Sequence, residues 1–339
     1  MPHFKLVLIG FGNVAKSFVR LLERKRSVLE SQHGITFSFV GVATGQHGFA
    51  VDMDGLDPFL MRSSCCLRHP ESSHDVIRMC KGQADVMFET SPVNNVTGQP
   101  AIEHVALALA SGMHVITANK GTVVHGYNPL MQTAAEKEKM FLHEATVMGG
   151  TPVFSVFREC MPAAELVSFE GIINSTTNVI LTRMETGESF DDAVSFCQGI
   201  GLAESDPSND VDGWDAAIKV AALVTVLMGI PTTPQQVDRK GIRGVTPQDI
   251  ADATKDGKRW KLVASADKST KKFVVAPQLV GPSSPLYGMS GATAGLNFRT
   301  DVIGDLAIVD TEREGMTPGP DPTAYGLLAD FISIARKTK

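Results

Sequence analysis

The chain has 339 residues, 43% hydrophobic and 20% charged, and carries a formal net charge of −6 at pH 7. That length exceeds what one hydrophobic core ordinarily serves, so two domains are expected, and the composition is that of a globular rather than a disordered protein. An acidic balance with no basic stripe interleaved with aromatics excludes a non-specific nucleic-acid binder, whose affinity rests on clustered Lys and Arg.

Residues 4–9 (FKLVLI) form a short apolar run ending in glycine, as expected of a buried parallel strand. The opening lacks the longer apolar core and cleavage site of a signal peptide, and no apolar run approaches the ~20 residues of a membrane span. A cytoplasmic protein without a membrane partner is expected. Gly10-Phe11-Gly12-Asn13-Val14-Ala15 follows the strand and opens a helix over residues 14–30. In this GxGxxA pattern Gly10 permits a tight turn, Gly12 lets backbone approach a pyrophosphate, and Ala15 allows helix to pack on strand. The helix N-terminus offers N–H groups and partial positive charge to phosphate. Glycine turns also arise for packing alone; the strand–turn–helix setting favours a dinucleotide site.

Residues 37–43 (FSFVGVA) are the second strand, ending Val42-Ala43-Thr44-Gly45-Gln46-His47. An NAD site usually places an acid there for the ribose 2′-hydroxyl. None is present, which leans slightly toward NADP or toward use of both, although no arginine waits for a 2′-phosphate. Residues 85–89 are a third strand, residues 101–111 a helix ended by Gly112, and residues 114–117 (HVIT) a further strand. Alternation of this kind predicts a doubly wound parallel sheet of Rossmann type. Lys120, in the Ala118-Asn119-Lys120-Gly121 turn, stands where ligands of such sheets bind; the alternative is a loop lysine pointing into water.

Glu144-Ala145-Thr146-Val147-Met148-Gly149-Gly150-Thr151-Pro152 sets a carboxylate before a glycine-rich turn that offers oxygens to a hard cation. From chemistry alone, a strand ending in a turn is the stronger reading, and His143 beside it makes no metal site by itself. Beyond about residue 140 strand-like pieces 167–173 and 273–279 sit among helices 190–198 and 215–227, which predicts a second, α+β domain. Residues 268–272 (KSTKK) read as a solvated turn, and residues 323–336 as a final helix. The expected division is a dinucleotide-binding domain over 1–135, a second domain over 136–310, which the family resemblance set out below makes the catalytic and dimerisation domain, and a segment 311–339 that the same resemblance returns to the first.

Gly201-Leu202-Ala203-Glu204-Ser205-Asp206-Pro207 leads to Asp210, Asp212, Gly213, Asp215 and Lys219. An EF-hand register would begin at Ser208 and put Lys219 where the bidentate glutamate belongs, so the EF-hand reading fails. Asp215 and Lys219 share a helical face. Elsewhere that spacing would be a surface pair worth tenths of a kcal/mol; after an acidic loop it points to a site. Cys65, Cys66, Cys80, Cys160 and Cys197 are odd in number and show no CxxC or metal spacing, so free thiols in a reducing compartment are expected.

The segments GFGNVA, DVMFETSPVN, HVITANKG, EATVMGGTPV, GIINSTTNVILTRM, GLAESDPSNDVDGWDAAIK and PTAYGLLADF, in this order, resemble the homoserine dehydrogenase family in its short form without a regulatory domain. The specific combination is GLAE-x-DP and D-x-x-x-K downstream of TANK. The resemblance implies reversible NAD(P)-dependent reduction of L-aspartate 4-semialdehyde to L-homoserine, within threonine and methionine synthesis. It makes Lys219 the proton donor and acceptor and Lys120 the second active-site lysine, beside the cofactor. Glu204 and Asp215 would hold the substrate, with Asp210 supporting the pocket. Gly10, Phe11, Gly12, Asn13, Val14, Thr90, Ser91 and Gly319 would line the nucleotide. Glu144 and the backbone oxygens of Val147, Gly149 and Thr151 would match a sodium site, and a homodimer is implied.

Two departures stand out. Ser175 replaces a usual glycine, which is expected to tighten a turn near the substrate. The loop Gly315-Met316-Thr317-Pro318-Gly319-Pro320 replaces a GxGAGG pattern and follows the charged 310–314 (DTERE), and its prolines remove N–H donors. The competing readings are an enzyme for another amino-acid-derived aldehyde and a non-catalytic nucleotide sensor.

Overall fold

Strand β1 (His3–Ile9) is buried along nearly its whole length, which an apolar run this continuous requires. In the computed structural model, which describes residues 1–45, 48–60, 70–311 and 319–338, it turns through Gly10–Gly12 into α1 (Asn13–Val28). The chain returns as β2 (Thr36–Thr44), parallel to β1. Next comes β3 (Gly48–Leu56), which pairs antiparallel with β2. Helix α2 (Ser73–Met79), β4 (Val86–Glu89), α3 (Ala101–Ala110), β5 (His114–Thr117), α4 (Lys120–Glu136) and β6 (Phe141–Leu142) complete a sheet of order β3-β2-β1-β4-β5-β6. Apart from the β3 hairpin all its pairings are parallel. The order reverses between β1 and β4, and the crevice outside the strand ends there is where such sheets bind ligands.

The chain divides into two units, Met1–Pro152 with Pro320–Lys339, and Val153–Gly319. The first runs past residue 135 because Phe141–Leu142 adds a strand beside β5.

The second unit holds β7 (Leu166–Ile172), α5 (Ser175–Glu185), α6 (Phe190–Gly199), α7 (Ser208–Val211), α8 (Trp214–Leu227) and β8 (Asp238–Arg239). Then follow α9 (Pro247–Lys255), β9 (Arg259–Asp267), β10 (Lys272–Val280), β11 (Ala294–Thr300) and β12 (Asp305–Asp310). The sheet order is β12-β11-β7-β9-β10-β8, antiparallel except between β10 and β8. This is the expected α+β arrangement. The KSTKK turn joins β9 to β10 and is organised by Asp267, whose carboxyl is held down to about 2 by hydrogen bonds from Ser269 and Thr270. Helices α5, α8 and α9 pack on the sheet. Beneath α5 lies Lys261, fully buried in β9, donating to Asn178 Oδ1 at 3.1 Å and standing 4.0 Å from Glu185. Burial pushes its ammonium down to about 8.

The last helix, α10 (Asp321–Lys337), belongs to the first unit. Phe4, Leu6 and Leu8 of β1 share one core with α1 and α10, while Val7 and Ile9 face the other core with α2, α3 and α4. Phe331 of α10 meets Phe4 and Phe88 edge-on, with centroids 5.4 and 6.0 Å apart. Cys80 and Cys197 are buried free thiols and Cys160 is an exposed one, while Cys65 and Cys66 lie outside the described residues. Among the described residues no helix is long and apolar enough to cross a membrane.

Candidate active site

At the carboxyl end of β1 the backbone sets the geometry. Gly10 has φ +88°, and a Cβ there would lie 2.5 Å from Ser91 N and Thr90 O, so only glycine fits. Its N–H donates to Ala43 O at 2.8 Å, while Thr90 donates from its N–H to Ile9 O at 2.8 Å and from Oγ1 to Gly10 O at 2.8 Å. Gly12 differs: it is the N-cap of α1, and among the described residues a Cβ there would meet nothing within 4 Å. Among the described residues no side chain caps this helix, so no cap takes up its first N–H groups, as a pyrophosphate cradle at a helix start requires. Asn13 is exposed, Val14 partly buried, Ala15 fully buried, and Phe11 packs on Phe59 with centroids 5.4 Å apart. The turn therefore fits a dinucleotide on its own geometry.

Sequence inspection missed Glu89, which ends β4 fully buried. Its Oε1 accepts from Ser91 N–H at 2.9 Å and from the Ser91 hydroxyl, and its Oε2 lies 3.0 Å from His104 Nδ1. An acid at the end of an apolar strand is the signal that could have found it, since such a residue is seldom buried unpartnered. Nearby, Asn119 caps α4 by accepting from Gly121 N–H at 3.0 Å and donates to Ser91 O at 3.1 Å. Lys120, the first residue of α4, is thus carried by a fixed turn of the first unit. Gly319 is exposed directly before Pro320, the cap of α10; residues 312–318, which include 315–318 of the atypical loop, lie outside the described residues, as do Gln46 and His47.

The second constellation lies wholly in the second unit. Lys219 Nζ stands 2.6 Å from Asp215 Oδ2 and donates to Ile173 O at 2.7 Å. Their side chains are only 14% and 10% exposed, so the pair is no surface bridge. Asn174 Nδ2 donates to Asp210 Oδ1 at 2.7 Å and to Asp215 Oδ2 at 3.0 Å. Burial first, then the facing Asp215 charge, pushes the Asp210 carboxyl above its ordinary range. The residues come together because β7 ends at Ile172, α7 presents Asp210, and the positive φ of Gly213 turns the chain into α8 with Asp215 and Lys219 one turn apart. Glu204 is exposed on the loop ahead of α7, where its backbone oxygen accepts from Gln198 Nε2 at 3.2 Å. Ser175 corrects an expectation: it is the first residue of α5 and lies outside the left-handed region, so no turn is tightened.

Glu144 is 2% exposed, and its N–H donates to Asp330 Oδ2 at 2.8 Å. Val147 and Thr151 are also buried, and Thr151 N–H donates to Met148 O at 3.1 Å. The glycines here have a packing cause. A Cβ on Gly150 would lie 2.6 Å from Pro322 O, and one on Gly326 2.6 Å from Gly149 O, so turn and α10 approach backbone to backbone. Among the described residues no group of three or more His, Cys, Asp or Glu could hold a metal ion.

A glycine turn at the switch point of a parallel sheet, with a part-buried amine and paired carboxylates in a second α+β unit, defines a two-unit nucleotide-dependent oxidoreductase. A family model described as "Homoserine dehydrogenase, NAD binding domain" matches residues 10–144, and one described as "Homoserine dehydrogenase" matches residues 152–332. The NAD(+)-dependent homoserine dehydrogenase of Pseudomonas canavaninivorans is 33% identical over 98% of this chain and 97% of its own. The homoserine dehydrogenase of Methanocaldococcus jannaschii is 34% identical over 98% and 99%. The crystal structure of a homoserine dehydrogenase from Thiobacillus denitrificans superposes with a TM-score of 0.82 at 28% identity, covering 100% of this chain and 74% of that one. The chain belongs to the homoserine dehydrogenase family, NAD(P)-dependent oxidoreductases that interconvert L-aspartate 4-semialdehyde and L-homoserine in amino-acid biosynthesis.

Proposed function

We propose that this chain performs that interconversion with Lys219 as proton donor and acceptor, and that Lys120, Glu204, Asp215 and Asp210 complete the site. The observation that carries the proposal is the setting of the Lys219 amine, 2.6 Å from a carboxylate and 2.7 Å from a carbonyl in a part-buried corner. Reduction of an aldehyde needs a proton at oxygen as negative charge develops there. When bound, the nicotinamide supplies or accepts the hydride. An ammonium has three N–H donors; two of those on Lys219 are directed to Asp215 and Ile173, which leaves a third for the substrate oxygen. Asp215 and Glu204 suit the substrate's α-ammonium group, and Lys120 would stand beside the cofactor. The nucleotide would lie along Gly10, Phe11, Gly12, Asn13, Val14, Thr90, Ser91 and Gly319, with the first unit as nucleotide-binding domain and the second as catalytic and dimerisation domain.

The relative from Pseudomonas canavaninivorans is named NAD(+)-dependent, whereas here β2 ends without an acid, so both cofactors are accepted and NADP is slightly favoured. Homoserine oxidation measured with each cofactor decides this. Glu144 with the backbone oxygens of Val147, Gly149 and Thr151 forms an oxygen-only donor set suited to sodium. A cytoplasmic homodimer completes the picture, and sedimentation reads its oligomeric state.

Lys219→Ala tests the central claim. Cofactor binding is retained while turnover falls about 10²–10⁴-fold, the usual share of general acid–base catalysis. Near-normal turnover in that variant removes Lys219 from its role.

A further inference from the structure

We infer that Asn174 is a positioning residue that holds the Asp210 and Asp215 carboxylates together and thereby aims the Lys219 amine; this rests on the role proposed for Lys219. Asn174 is 4% exposed and stands between β7 and α5. The orientation of its amide is fixed by its partners. Oδ1 accepts from Thr177 N–H at 2.9 Å, a group that can only donate, and from the Thr177 hydroxyl at 2.9 Å. A flipped amide would face an N–H with its own NH2 and two carboxylates with its oxygen. The NH2 must therefore point at the acids, where its two hydrogens divide, one to Asp210 Oδ1 and one to Asp215 Oδ2.

Two carboxylates that share one amide repel, and Asn174 is a neutral donor to both, while Thr176 also hydrogen-bonds Asp210. Asp215 Oδ2, the oxygen that receives Asn174, also receives Lys219 Nζ. The amine's other acceptor is Ile173 O, the carbonyl just before Asn174. All three charged groups are thus referenced to one two-residue step of backbone. Charge-assisted hydrogen bonds of this sort are stronger than neutral ones and fix geometry as well as energy. The charged and titratable groups facing Asp210 are Asp215 and Lys219 on α8 and the Cys197 thiol on α6. Among the forces on Asp210, burial and Asp215 raise its pKa, whereas Asn174 lowers it.

Asn174→Ser and Asn174→Asp separate positioning from capping. Serine and aspartate are good N-caps and can still accept from Thr177, but neither can donate to two carboxylates. Turnover of homoserine is expected to fall about 10- to 100-fold in both, as for loss of hydrogen bonds to charged groups. The acidic limb of the kcat–pH profile moves to higher pH, further in Asn174→Asp, while unfolding temperatures stay near that of the unmodified protein. Three results would overturn the inference: both variants matching the parent in kcat and acidic limb; lost turnover with an unmoved limb and lowered unfolding temperature; or two variants too unstable to assay, which would assign Asn174 to holding α5. Lys219→Ala is run alongside. If it keeps turnover, the reading of Lys219 has failed; if it is inactive while the Asn174 variants match the parent, only the inference about Asn174 has.

Discussion

The glycine turn of the first unit and the acid–amine cluster of the second are built by opposite means. The turn is one contiguous stretch shaped by backbone: a φ of +88° at Gly10, close approach to Thr90 and Ser91, and an uncapped helix start at Gly12. The cluster gathers side chains from Asn174, Asp210, Asp215 and Lys219, on three segments, and is shaped by charge. A site made of backbone is intolerant of added atoms and indifferent to pH. A site made of ionised side chains tolerates bulk at its edges and responds to every proton.

Three substitutions, in order of expected effect, would break or sharpen that contrast. Gly10→Val adds a β-branched side chain at positive φ and against backbone, so cofactor binding should be lost and stability lowered by ~3 kcal/mol or more, read by denaturant unfolding. Parent-like stability would show that the turn yields, contrary to the contrast drawn. Gly12→Ala meets no atom of the described residues, so unfolding should change by less than about 1 kcal/mol. Its cofactor dissociation constant should nevertheless rise on the order of tenfold, or ~1.4 kcal/mol, because the added methyl occupies the space left for pyrophosphate. An unchanged dissociation constant would place the phosphates elsewhere. Asp210→Asn is the smallest. A carboxyl whose folded pKa is raised contributes stability that is present below its unfolded pKa, near 4, and lost as pH rises through the folded value. At pH 7 the charged group therefore weakens the fold, and the amide should raise the unfolding temperature by about 1–3 °C while lowering turnover. At pH 3, where the parent residue is already neutral, the difference should vanish. A gain that persists at pH 3 would assign the effect to packing.

The same division explains what could be read from the sequence. Strands β1 and β5 are unbroken apolar runs, and the turn after β1 is local, so both were visible in the order of residues. Strand β3 was not, because GFAVDMDGL carries two acids and packs only part of its length; a hairpin stands where a strand–helix alternation was expected. Strand β9 was hidden by Lys261, a lysine at the head of its buried run. In the cluster, Asp215 and Lys219 could be paired by helical spacing, and Asp210 by the acidic loop. Asn174 could not be tied to them, since its partners are 36 and 41 residues away. The usable signal was modest: an Asn before Ser-Thr-Thr is a helix N-cap pattern, which marks where α5 starts but not what the amide's other end holds.

Helix α5 is tied at three depths, by Asn174 before its first residue, by Asn178 taking Lys261, and by Glu185 at its end beside Arg259 and Lys261. Apolar contacts alone would let a helix slide or roll on a sheet at small cost, since one hydrophobic neighbour replaces another. A slip by even one residue here would strand a buried ammonium without its acceptor, a loss of several kcal/mol. The Lys261 contact thus works as a ratchet tooth: it holds the helix in a single notch, and the mouth of the helix, where the two aspartates meet, inherits that alignment from a side chain that never sees solvent.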